Sequence, residues 1–210
     1  TNQRAVSFVS ELRAEHETET CPILINGLVG PAGDAYAPDA EISQQEALLN
    51  HAPQIHALGK AGVDMISAMT LTHAGEAIGI VQAAKEIDVP VVTAFTLETD
   101  GHLPSGQTLG EAIEEVAAAT NGGPLYYMIN CAHPDHFREI LDTTAAWTLR
   151  SGGIRSNAFR QSHAELDAAE RLDDGDPIEL GKLSAELLSR LRTSGYWAGA
   201  AAPITGMCAA

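Results

Sequence analysis

Basic residues are scarce. Twelve Lys and Arg stand against 28 Asp and Glu in 210 residues, a formal net charge of −16. A surface of that sign repels phosphate backbones and argues against nucleic acid as a partner. The acids read as the solvated faces of helices. No apolar run approaches the ~18–20 residues a membrane span needs. The opening Thr1-Asn2-Gln3-Arg4 lacks the basic stretch and apolar core of a secretory signal. No Met opens the chain, so upstream residues are expected. Cysteines are few, odd in number and far apart: Cys21, Cys131 and Cys208. This speaks against a disulfide framework and for a reducing cytoplasm. A P-loop and a G-x-S-x-G elbow are both missing. With 45% hydrophobic and 19% charged residues the chain is expected to fold, and its length suits one domain over 1–210.

What is present is an alternation of short apolar runs and longer helical stretches. Val6, Val9 and Leu12 mark one face of a helix over 4–16. Pro22-Ile23-Leu24-Ile25-Asn26-Gly27 then reads as a buried strand. Similar runs fall at 63–69, 89–95 and 125–131, with weaker ones at 153–158 and 203–208. Ser43-x-x-Glu46, Thr108-x-x-Glu111 and Ser162-x-x-Glu165 are capping boxes that open helices. Leu180, Leu183, Leu187, Leu188 and Leu191 recur at helical spacing over about 179–194. Six strands and six helices in alternation predict an α/β fold with a parallel sheet and crossover helices.

Two architectures fit: an open doubly wound sheet, or a (β/α)8 TIM barrel, which needs eight strands and typically about 250 residues. For a barrel, two strand–helix units and a last helix would lie outside this sequence. Both architectures put chemistry at the C-terminal ends of the strands. Cys131 and Cys208 each end an apolar run. A free Cys is often only a packing residue, but two at equivalent heights suit a soft metal such as Zn²⁺. Gly27-Leu28-Val29-Gly30-Pro31-Ala32-Gly33 has the wrong spacing for a dinucleotide loop, and Pro31 removes an N–H that a phosphate cradle would use. It reads as a shaped turn at a strand exit.

Several segments, in order, resemble the homocysteine S-methyltransferase family. Asn26-Gly27-Leu28-Val29-Gly30-Pro31-Ala32-Gly33-Asp34-Ala35-Tyr36 is similar to the loop after its third barrel strand. Phe95-Thr96-Leu97-Glu98-Thr99-Asp100-Gly101-His102-Leu103-Pro104-Ser105-Gly106 is similar to its fifth-strand loop, and Asn130-Cys131 to its sixth-strand zinc motif. Ile154-Arg155-Ser156-Asn157-Ala158, followed by Ser162-His163-Ala164-Glu165-Leu166-Asp167, resembles its seventh-strand region. The resemblance implies a (β/α)8 barrel of which strands three to eight are present. It implies an S-methyltransferase that passes a methyl group from a donor to a thiol, homocysteine giving methionine. It also implies Zn²⁺ held by Cys131 and Cys208. A metal cation stabilises a sulfur anion at neutral pH and leaves it nucleophilic.

Two positions depart from the family. Met207 stands where the first of two adjacent zinc cysteines is expected, and a thioether is a poorer Zn²⁺ ligand than a thiolate. Met69 stands where a glutamate is expected to bind the substrate ammonium. Zinc is then held weakly or lost, and the second reading is a diverged barrel with a vacated metal site that serves another small molecule. His133 or His136 would complete a Cys₂His set; against that, His133 reads as a solvated loop residue and His136 as a helix N-terminal one. His73 and His102 occupy similar loops. Cys21, before its strand, reads as structural, and Trp147 and Trp197 as packing residues. Arg155 suits either a bound carboxylate or a buried ion pair.

Overall fold

The computed structural model describes residues 1–34, 41–141, 144–170, 175–190 and 198–200. Helix α1 (Asn2–His16) precedes β1 (Asn26–Val29). Then follow α2 (Gln44–Ala61), β2 (Met65–Leu71), α3 (Ala74–Glu86), β3 (Val91–Phe95), α4 (Leu109–Ala119) and β4 (Tyr127–Asn130). The single turn α5 (Pro134–Phe137) and a 3-10 turn (Ala146–Arg150) lead to β5 (Ser151–Ser156), α6 (His163–Asp167), α7 (Pro177–Arg190) and β6 (Ala198–Ala200).

The six strands lie side by side in chain order, every pair parallel. A doubly wound sheet reverses its order at a switch point. This one never reverses, which removes the open doubly wound alternative. Right-handed crossovers running in one direction lay the helices on a single face of the sheet. The core is that interface: Ile66, Ala68 and Leu71 of β2 pack with Ile78, Ile80 and Val81 of α3 and with Leu58 of α2. β1 and β6 do not pair with each other among the described residues, so the sheet has two edges here rather than a closed ring.

β1 corrects the first strand expected from the sequence. It starts four residues later than the apolar run at Pro22. Before the ladder begins, Ile25 N donates to Asp64 Oδ2 (2.6 Å) and Ile25 O accepts from Asp64 N (2.8 Å). Leu24 is 68% exposed, so apolarity there does not mark a buried strand. Within β1, Gly27 and Val29 are buried while Asn26 and Leu28 are exposed. A Cβ on Gly27 would meet Leu58 and Ile66. The helix-covered face of this edge strand is therefore packed, and the other face is open. β2, β3, β4 and β5 fall within two residues of the expected runs. The sixth described strand is Ala198–Ala200, and the run expected at 203–208 lies outside the described residues.

All three capping boxes form. Ser43, Thr108 and Ser162 each accept from the backbone N–H three residues on, whose Glu side chain accepts in return. Helices α2 and α3 come close together at Gly79, where a Cβ would lie 2.5 Å from Ala47 Cβ and 2.6 Å from Leu48 N. Trp147 packs as expected, its indole lying against Gly110. Trp197 lies outside the described residues.

Candidate functional site

The ends of β2, β3 and β4 converge on Cys131. This half-buried residue follows directly on β4, and its backbone N–H donates to Arg155 O of β5 (3.1 Å). Its φ is 55°, and that of Thr70 in β2 is 63°. Left-handed backbone is uncommon away from glycine, and for a β-branched residue it is an outlier. The register between β2 and β3 shifts between Ala68 and Leu71, so Thr70 sits on a bulge that turns its side chain out of the regular alternation.

Asn130 joins the two strained residues. Its Oδ1 accepts from Thr70 N (2.8 Å), which settles the orientation of the amide. Its Nδ2 then donates one hydrogen to Thr70 Oγ1 (2.7 Å) and the other to Cys131 Sγ (3.1 Å). The Thr70 hydroxyl, having accepted, has its own hydrogen free for the sulfur at 3.6 Å. Two donors aimed at one sulfur are complementary to an anionic sulfur.

On its other side Cys131 meets a histidine. His163 Nε2 donates to Cys131 O (3.0 Å), and Thr96 Oγ1 donates to the same carbonyl (3.4 Å). His163 Nδ1 lies 3.1 Å from Glu98 Oε1. A narrow crevice runs along this cluster, lined by Cys131, Glu98, His133, His136, Asn157 and His163.

His133 is not the solvated loop residue that its position suggested. It is 1% exposed and caps α5, with Nδ1 accepting from Asp135 N (3.1 Å). That bond leaves the hydrogen on Nε2. Burial is the main reason its pKa is pushed down to about 4, so the ring is neutral at pH 7. His136 lies in α5 and donates from Nε2 to Arg160 O (3.0 Å), and its buried Nδ1 has no partner among the described residues. No three His, Cys, Asp or Glu side chains converge closely enough to hold a metal among the described residues. Cys208 and Met207 lie outside them, so the expected Cys131–Cys208 pair is not visible here. The donor chemistry at Cys131 itself suits a thiolate ligand, because its sulfur already accepts from Asn130.

The glycine–proline loop after β1 is anchored away from the crevice. Glu76, 1% exposed, accepts from Ala32 N (2.6 Å) and from His51 Nε2 (2.7 Å). An amide that a phosphate cradle would need is therefore committed to a carboxylate. His73 caps α3, with Nδ1 accepting from Glu76 N (3.3 Å). His102 lies beside Asp100 (3.4 Å). Cys21 is exposed and precedes β1, at the far end of the sheet from Cys131. Arg155 forms no ion pair among the described residues.

A sequence profile of homocysteine S-methyltransferases matches residues 1–208. The chain belongs to the homocysteine S-methyltransferase family. Three solved structures of the homocysteine methyltransferase MmuM from Escherichia coli share its fold. The apo form aligns over 95% of this chain at 18% identity with a TM-score of 0.66. The metallated and oxidised forms align over 95% at 17% identity, with TM-scores of 0.68 and 0.70. The chain spans less than two thirds of the length of those proteins, 64–66%. No curated protein matches the sequence at a significant level. Within this family's fold, Glu98 and His163 lie inside segments that resemble the family but had no role assigned from the sequence. Glu76 and His51 are contacts that the sequence alone did not single out.

Proposed function

We propose that residues 1–210 supply strands three to eight of a (β/α)8 barrel that transfers a methyl group to a thiol, with homocysteine as acceptor and methionine as product. Zn²⁺ is the proposed cofactor, with Cys131 and Cys208 among its ligands. The observation that carries this reading is Cys131. It stands at a strand end, in strained backbone, with Asn130 donating to its sulfur. The match to the family over 1–208 and the unreversed parallel order support it.

In this reading bound zinc would lower the pKa of a thiol and leave it nucleophilic as a thiolate. The chain's own residues do the rest. Asn130 and Thr70 direct Cys131 Sγ and favour its anionic form, leaving a lone pair for a metal. Glu98, His133 and Asn157 line a tight crevice beside Cys131. His133 is buried and neutral at pH 7, so it brings no charge to the crevice. Met69 brings no carboxylate to bind an ammonium, so the acceptor's amine must be held elsewhere. The partners are a small-molecule thiol and a methyl donor. The described helices include none long and apolar enough to cross a membrane, and the cytoplasm is the proposed location.

The test is metal content and chelator competition on purified protein, with methyl transfer to homocysteine measured alongside. The expected result is zinc bound in the wild type, lost in Cys131→Ser and held more tightly in Met207→Cys. Wild type and Met207→Cys both devoid of zinc would reject the metal-dependent reading and leave a barrel that serves another small molecule through a vacated site.

A further inference from the structure

We propose that His163, braced by Glu98, is a positioning residue that holds Cys131 in its left-handed backbone conformation. The consequence for catalysis rests on the methyl-transfer reading, whereas the hold on Cys131 does not.

A residue at φ 55° directly after an extended strand stays there only where its surroundings over-determine it. Four of the groups that fix Cys131 belong to the strand ends themselves: Arg155 O, Thr96 Oγ1, Asn130 Nδ2 and Thr70 Oγ1. The fifth comes from elsewhere. His163 begins α6 and reaches back to the Cys131 carbonyl at 3.0 Å, closer than the Thr96 hydroxyl at 3.4 Å. Its origin is fixed by the Ser162–Glu165 capping box, and its ring spans the Cys131 carbonyl, to which Nε2 donates, and Glu98 Oε1, which lies 3.1 Å from Nδ1. The His163 side chain is only 13% exposed, so water does not readily replace it as the donor. The place of that carbonyl depends on both φ and ψ of Cys131, so holding it resists a turn toward extended backbone. A turn in φ would carry Cβ and Sγ away from Asn130 and Thr70. Three segments distant in sequence, the loop after β3, the end of β4 and the start of α6, thus meet on one carbonyl. None of them would be needed merely to seat α6, which its own capping box and its contacts already start.

The test is nuclear magnetic resonance on protein labelled with ¹³C at cysteine. Cys131→Ser identifies the Cys131 signals, and the exposed, remote Cys21 serves as the internal reference. In His163→Ala the Cys131 Cα and Cβ shifts move toward extended-strand values while those of Cys21 stay. In His163→Gln, whose side-chain N–H reaches the same carbonyl, they return. Glu98→Ala, at a partly exposed carboxylate, moves them in the same direction by less, and it remains readable should His163→Ala fail to fold. Methyl transfer is expected to follow, with kcat falling about tenfold in His163→Ala, KM changing less, and Gln restoring most of the loss. Unchanged Cys131 shifts in Glu98→Ala and in a folded His163→Ala overturn the proposal, as does a His163→Gln indistinguishable from His163→Ala. A wild type inactive toward thiols rejects the proposed function, and the resonance experiment still decides this one.

Discussion

Asn130 donates a side-chain N–H to the sulfur of Cys131 across 3.1 Å. The same amide exchanges two further bonds with Thr70, at 2.7 and 2.8 Å, and the residue is 1% exposed. One short side chain therefore ties the bulge in β2 to the residue after β4, passing over the end of β3. Because both hydrogens and the oxygen of the amide are used, no other residue of similar size serves all three contacts.

Asn130→Leu keeps the volume and removes every one of these bonds, leaving the Thr70 N–H without its acceptor. The unfolding free energy is expected to fall by about 2–3 kcal/mol, read as a lower urea midpoint at unchanged slope. Asn130→Asp keeps an acceptor for Thr70 N but turns a negative oxygen toward the sulfur. Its stability loss should be the smaller of the two, while zinc retention in a chelator titration falls in both. A wild-type urea midpoint in Asn130→Leu would mean that the Thr70 and Cys131 contacts contribute nothing to the fold.

Glu76 is the most buried carboxylate of the described chain, and it links three segments. It sits on α3, accepts from His51 of α2 and accepts from Ala32 in the loop after β1. Removing one member of a buried pair leaves the other uncompensated, at a cost of about 3 kcal/mol or more. Glu76→Ala should therefore lower the thermal midpoint, and it should raise hydrogen exchange at the Ala32 amide well beyond the change in global stability. Glu76→Gln, which retains one oxygen for Ala32 N, should protect that amide better than Ala. Equal exchange in both variants would show that the loop is held by something else.

The elements were legible in the sequence where the signal is local. Capping boxes at Ser43, Thr108 and Ser162 depend on four consecutive residues, and all three form. Strands β2 to β5 are buried among neighbours on both sides, so their apolar runs marked them within two residues. β1 is an edge strand with one open face, and the apolarity of Leu24 there misplaced its start. His133 was misjudged although its signal was present: His-Pro-Asp puts a cap just before a proline at the first helical position, which buries the cap side chain over the turn. Cys131 was recognisable as a strand-end thiol. Its hold by Glu98 and His163 was not, because residues 98, 131 and 163 meet only once the loops after β3 and β5 have folded over the sheet. The His51–Glu76 pair is hidden for the same reason, since it needs α2 and α3 packed at the right height.

That packing yields a prediction with two opposite signs. At Gly79 a methyl group would press on Ala47 Cβ at 2.5 Å and on the backbone of Leu48 and Gln44 at 2.6 and 2.7 Å. Backbone cannot yield as a side chain does, so Gly79→Ala is expected to cost about 2–3 kcal/mol through separation of α2 from α3. Gly181 lies inside α7 with nothing within 4 Å of a Cβ. There Gly181→Ala only raises helix propensity and should stabilise by about 0.5–1 kcal/mol. Thermal unfolding of the two single variants checks both. A neutral Gly79→Ala would mean that the two helices are not in the close contact described.

The three capping boxes give the fold a common acid sensitivity. The Thr108 hydroxyl (2.7 Å) and backbone N–H (3.0 Å) both donate to Glu111, and they hold its carboxyl below the ordinary range. Ser43 does the same for Glu46, and Ser162 for Glu165. In the unfolded chain these carboxyls titrate near their ordinary value of 4.5. The folded state thus binds fewer protons than the unfolded state in the window below that value, and stability there falls as pH falls. Above pH 5 the contribution is complete and flat. A variant with Glu46→Gln, Glu111→Gln and Glu165→Gln keeps an acceptor at each box but removes the titrating group. Its urea midpoint should lie below that of the wild type at pH 7, and the gap should close as the pH is lowered from 5 toward 3. A gap that stays constant across that range would show that the capping carboxylates contribute through geometry alone and that their ionisation is not linked to folding.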